Sequence, residues 1–200
     1  MTRIFESYNK NFDLTIDNIE DKQLKFFIHD KGGWIFSTKN VVVALYLLYD
    51  KTLKDTGEES EIKILDILNS KVRYNKELII SSLEEDGDLQ WISWLSNGAF
   101  DYGNDTERLY DYVMDDVSEL GLDDEKEDEE VNRRYDILME SYDSDDILEK
   151  MKNDYEDELI EAIEKSDNYL ELAEEINRIS EDITQSSIDY LLDFMCECSY

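Results

Sequence analysis

The stretch DSDDILEKMKNDYEDELIEAIEK, residues 143–165, decides how the larger part of this chain is read. Leu148, Met151, Tyr155, Leu159 and Ala162 recur in steps of three and four, which puts them on one face of a helix. Asp143, Asp146, Glu149, Asp154, Asp157, Glu158, Glu161 and Glu164 fill the other side, interrupted only by Lys150, Lys152 and Lys165. The segment therefore predicts an amphipathic helix with an apolar stripe for a core and a carboxylate-rich outer surface.

The same pattern extends in both directions. Tyr169, Leu172, Ile176, Ile179 and Ile183 continue it, followed by Ile188, Leu191, Leu192 and Met195. Upstream, Leu109, Val113, Val117 and Leu120 share a face, with Asn104 and Glu107 spaced as a capping box and Gly121 as a stop. Val131, Tyr135, Leu138 and Tyr142 make a further stripe. The charged run Leu122–Glu130 reads as a solvated linker or a frayed helix start.

The beginning of the chain has a different period. Phe12, Leu14 and Ile16 alternate with polar residues, and Leu24, Phe26 and Ile28 do the same, which predicts strands. Asp30-Lys31-Gly32-Gly33 predicts a hairpin turn returning through Trp34-Ile35-Phe36. Ser37 or Thr38 is placed to cap a helix running to about Asp50 that is apolar nearly all round and should lie on the hairpin sheet. Ile62, Leu65 and Leu68 mark a second helix. Leu78, Ile79, Ser82 and Leu83 mark a third, ended by Gly87. A short helix around Trp91, Ile92, Trp94 and Leu95 is capped by Asp88 and stopped by Asn97-Gly98. The fold expected is α+β and predominantly helical: a small N-terminal antiparallel sheet or β-hairpin with helices (residues 1–98, a near-neutral scaffold), then an acidic α-helical bundle (residues 99–200).

Charge is the strongest functional signal. The 200 residues hold 52 Asp and Glu against 20 Lys and Arg, a net charge of −32. Residues 1–80 carry 12 basic and 13 acidic side chains, and residues 81–200 carry 8 and 39, so almost the whole excess sits in the later part. Salt adaptation would acidify the chain throughout, and AT-rich coding would raise Lys together with Asp and Glu. Neither gives this asymmetry. Apolar residues make up 41%, so the acidic part has the means to fold. Such a surface repels phosphate, which excludes direct binding to nucleic acid or to an anionic membrane.

Residues for catalysis are scarce. His29 is the single histidine, on an expected strand, and the cysteines are Cys196 and Cys198. No P-loop, two-histidine metal motif or EF-hand spacing is present, so neither an enzyme nor a cofactor protein is expected. The greasiest run, Val41–Tyr49, rises only about 13–14 Å as a helix, too short for a bilayer. With no signal-peptide pattern at the N-terminus and few cysteines, a cytoplasmic location is expected.

Solubility needs a net charge of only about 2–8 for a small domain, and like charges four apart on a helix oppose folding. The excess suits a partner with a basic groove. The composition over about residues 100–197 resembles in kind that of the acidic DNA-mimic proteins used against restriction enzymes and CRISPR nucleases, although no motif is shared residue by residue. That resemblance implies an inhibitor occupying the nucleic-acid channel of a nuclease or defence complex. The partner-binding residues expected are Asp111, Asp115, Asp116, Glu149, Asp154, Tyr155, Asp157, Glu158, Glu161 and Glu164. Tyr102, Tyr110, Tyr112, Tyr142 and Tyr169 are further aromatic anchors or core residues, and a homodimer is compatible with the pattern. Alternatives are an immunity protein neutralising a basic toxin and a chaperone for basic proteins.

Overall fold

The computed structural model describes residues 2–6, 12–19, 23–30, 35–56, 62–96 and 102–197. Four strands, β1 (Thr2–Glu6), β2 (Phe12–Ile19), β3 (Gln23–Asp30) and β4 (Ile35–Thr38), form an antiparallel sheet in chain order. Leu24 and Phe26 of β3 are buried while Lys25 and Phe27 are half-buried, the two-residue alternation of a strand with one covered face. Pairing of His29 with Ile35 and Phe26 with Thr38 establishes the hairpin expected there, although its Lys31–Trp34 turn lies outside the described residues. β1 is an addition to the sequence reading. It is five residues long and its register with β2 shifts between Arg3 and Phe5, which erases alternation.

The helices are α1 (Val41–Thr56), α2 (Ile62–Lys71), α3 (Lys76–Ser81), α4 (Gln90–Leu95), α5 (Tyr102–Ser118), α6 (Asp124–Ser141), α7 (Ser144–Lys165) and α8 (Tyr169–Glu197). The predominantly helical α+β class read from sequence is the class observed. Val41 to Leu48 are all buried because α1 is enclosed between the sheet, α4 and α8. α8, about 43 Å long at 1.5 Å per residue, is the spine against which α1, α2, α4 and α7 pack. Buried side chains from before and after position 98 belong to one apolar cluster. Polar bonds cross the same boundary: the Tyr169 backbone N–H donates to Asn69 Oδ1 at 2.8 Å, and Tyr74 OH donates to the Ile163 carbonyl at 3.0 Å.

Several helix ends differ from expectation. Ser37 and Thr38 pair within β4, so α1 starts later and is capped by Asn40, whose Oδ1 accepts from the Val43 N–H at 3.2 Å. α3 stops at Ser81, short of Gly87. Residues 82–86 turn instead, ending on Asp86 at φ 66°, and Gly87 follows at φ 119°. Asp88 does not cap α4: the capping position is Leu89, with no side-chain bond. The expected stop at Asn97-Gly98 lies outside the described residues. α5 begins at Tyr102, which places Asn104 inside its first turn. Leu120 lies past the end of α5 and is 51% exposed, so the stripe ends at Val117. The 122–130 run is a helix start, since Asp123 caps α6 through a bond from the Lys126 N–H.

Candidate acidic interface

Short links set the positions of the acidic faces. Ser166-Asp167-Asn168 joins α7 to α8, too short for anything but antiparallel neighbours, and the two helices pack together. Their apolar stripes are consumed there: Met151, Leu159 and Ile163 on α7, and Leu172, Ile176, Ile179 and Ile183 on α8, are buried. Carboxylates are left outside by default. Asp146, Glu149, Asp154, Asp157, Glu161 and Glu164 are exposed along α7, and Glu158 is half-buried.

These residues are not equivalent once neighbours are included. Arg178 of α8 is gripped by Glu158 at 2.9 Å, Glu175 at 3.0 Å and Asp182 at 3.1 Å, and its proton is held more tightly than usual by those carboxylates, Glu158 first. Lys165 bonds Glu161 at 2.5 Å and lowers the pKa of its carboxyl. Lys150 reaches Asp193 across the helix pair at 3.3 Å. Asp154 accepts from Tyr190 OH at 2.7 Å; burial, and then that bond, raise the Tyr190 phenol above its ordinary value. Among the described residues Asp157 and Glu149 have no such engagement.

A groove of about 380 Å³ runs between α7 and α8 near their link, lined by Glu158, Glu161, Lys165, Glu171, Glu174 and Arg178 among others. Its α8 side, Glu171, Glu174 and Glu175, is legible in the sequence as the acidic face of the next helix but stands outside the ten partner-binding residues expected. Its signal was the brevity of the α7–α8 link, which brings Glu171 and Glu174 opposite Glu158 and Glu161.

α5 and α6 form a second unit, packed chiefly on each other. Leu109, Val113 and Val117 face Val131 and Leu138 in the core, while Asp116 is ion-paired with Arg134. Glu130 takes hydrogen bonds from Arg133 and Arg134, which pull its carboxyl down to about 2. Asp111 and Asp115 stay exposed. The structure thus divides the expected site: Asp111, Asp115 and Asp116 belong to the α5–α6 unit, and the remaining residues to the α7–α8 pair. Tyr155 is half-buried with its hydroxyl 2.9 Å from Ser186 Oγ, and Tyr169 is fully buried, its phenol raised to about 12 chiefly by burial. Tyr142 stacks edge-on with Phe194. Tyr110 is exposed at 37%, whereas Tyr112 is half-buried; the Tyr102 side chain lies outside those described.

Among the described residues no group of three or more His, Cys, Asp or Glu is placed to hold a metal ion, and no helix is long and apolar enough to cross a membrane. Comparison with protein-family models, curated proteins and solved structures returns no match.

Proposed function

We propose that this protein is an inhibitory binding protein whose acidic helices occupy the basic nucleic-acid channel of a nuclease or host-defence complex, of the anti-restriction or anti-CRISPR kind. One observation carries the reading: the carboxylate excess stands exposed on packed helices, while Arg133, Arg134, Lys150, Lys165 and Arg178 are each engaged by local carboxylates. Few cations remain to neutralise the outer faces. Carboxylates on successive turns stand about 6 Å apart along a helix. Two adjacent rows approach the charge density of a phosphate backbone, one charge per about 3.4 Å per strand. A basic channel relieves the repulsion within those rows and steers fast association.

The test uses a panel of purified nucleases and defence complexes from the native host. Inhibition by the intact protein should weaken steeply with salt and be competed by the target's own DNA or RNA substrate. A target inhibited equally at low and high salt, with no competition by its substrate, overturns the reading.

A further inference from the structure

Tyr110, Met114 and Leu120 are the exposed large hydrophobic residues among those described, at 37%, 46% and 51%. Tyr110 and Met114 share one face of α5, about 6 Å apart along its axis, and Leu120 lies just past the end of the helix. Single exposed apolar residues are ordinary. Their grouping on and just beyond one helix, among the described residues, on the unit that packs mainly through α6, is not. Beside them runs a ladder of like charge: Glu107, Asp111, Asp115 and Glu119 follow one another at intervals of four residues, all exposed. Among the described residues none of the four carboxylates has a hydrogen-bonding or ion-pairing partner, the one side-chain bond there going from Ser118 Oγ to the Asp115 carbonyl. At 100° per residue Met114 lies about 40° round the helix from Tyr110 and about 60° from Asp111 on the other side, so the apolar strip and the acidic ladder are adjacent.

We infer that this face of α5 docks a basic amphipathic helix of a partner protein, one with Lys or Arg repeating every four residues next to an apolar stripe. The inference rests on the reading of the molecule as a binder of basic proteins and names a second contact for it. Charge complementarity selects the occupant. A ladder with a step of about 6 Å matches cations at the same interval on a helix laid alongside. Each unrelieved like-charged pair opposes the helix that carries it, and the partner's cations remove that opposition. The apolar strip supplies what charge alone lacks. Tyr110 already stands edge-on to Tyr135 at 5.3 Å, which orients its ring, while the unbranched Met114 adapts to the side chain that covers it. An apolar centre with a charged rim is the usual anatomy of a protein interface.

The probe is a synthetic helical peptide with Lys at four-residue intervals beside a Leu stripe. Its control has the same composition with the leucines scattered round the helix. With the full-length protein, the striped peptide should bind at least about tenfold more tightly than the control and shift the NMR signals of Tyr110, Asp111, Met114 and Asp115. M114E should reduce its affinity about tenfold, and Met114→Leu should keep it; circular dichroism verifies that both variants are folded. Equal binding of the two peptides, shifts confined to α7 and α8, or an M114E protein that binds like the parent overturns the inference. Failure here is separable from failure of the channel reading, which is decided by inhibition of a nuclease and its response to charge reversal on α7.

Discussion

Ser180 Oγ donates to the carbonyl of Leu95 at 2.6 Å, a buried bond between the middle of α8 and the last turn of α4. It joins an acidic helix to the apolar core of the preceding segment. The carbonyls at the end of α4 have no further helical turn to bond them, and Ser180 satisfies one without bringing a charge into the core. Removing the hydroxyl leaves a buried acceptor unmet. Ser180→Ala should cost about 1–3 kcal/mol in denaturant unfolding, and an unchanged midpoint contradicts this role for the bond.

Asp86 sits at φ 66° and accepts from both Thr38 Oγ1 and the Lys39 N–H at 2.7 Å. This ties the turn after α3 to the end of β4. Asn tolerates the left-handed region and retains an acceptor, so Asp86→Asn should remain close to the parent in stability. Asp86→Val loses both bonds and places a β-branched residue where it is strained; a loss of about 2–4 kcal/mol is expected. Equal melting of the two variants refutes the account.

Acid and alkali act on different groups. The Glu130 carboxyl is held at about 2 against an ordinary 4.5, so its contribution is intact above pH 4.5 and is lost as pH falls toward 2. Tyr74 and Tyr169 are raised to about 12 from 10.0, chiefly by burial, so their contribution is intact below pH 10 and is lost as pH rises toward 12. Glu130→Gln should flatten the acid limb of the stability profile and leave the alkaline limb unchanged. NMR titration of the Glu130 carboxyl checks the assignment directly.

Self-repulsion makes salt a stabiliser. Raising NaCl from about 0.01 M to about 1 M shortens the screening length from about 30 Å to about 3 Å. With carboxylates far outnumbering cations, the melting temperature should rise. Asp111→Asn and Asp115→Asn should each add a few tenths of a kcal/mol at low salt, with less gain at high salt. A melting temperature that falls with salt means that ion pairs such as those of Arg178 outweigh the repulsion.

The fold was legible where periodicity was long. The stripes of α7 and α8 were written in steps of three and four, and each stripe residue named from Tyr169 to Ile183 is buried. Ends were less legible, because polar residues serve several purposes. Thr38 reads as a cap, but the sheet takes it, and Asn40 caps instead. Leu120 is in phase with Val113 and Val117, yet the helix has already ended. For the candidate interface, the rows of carboxylates were visible, but their neutralisation was not. Glu175 and Asp182 stand three and four residues from Arg178 on its own helix, but the bonds of Arg178 to Glu158 and of Lys150 to Asp193 depend on the register between α7 and α8, which no local pattern encodes.

Charge reversal on α7 is the most direct measurement of the central claim. Asp154→Lys, Asp157→Lys and Glu161→Lys, combined in one protein, alter exposed side chains and should leave the helical circular dichroism unchanged. The account predicts that this folded variant no longer inhibits the nuclease or defence complex that the parent inhibits. Full inhibition by the folded variant contradicts it.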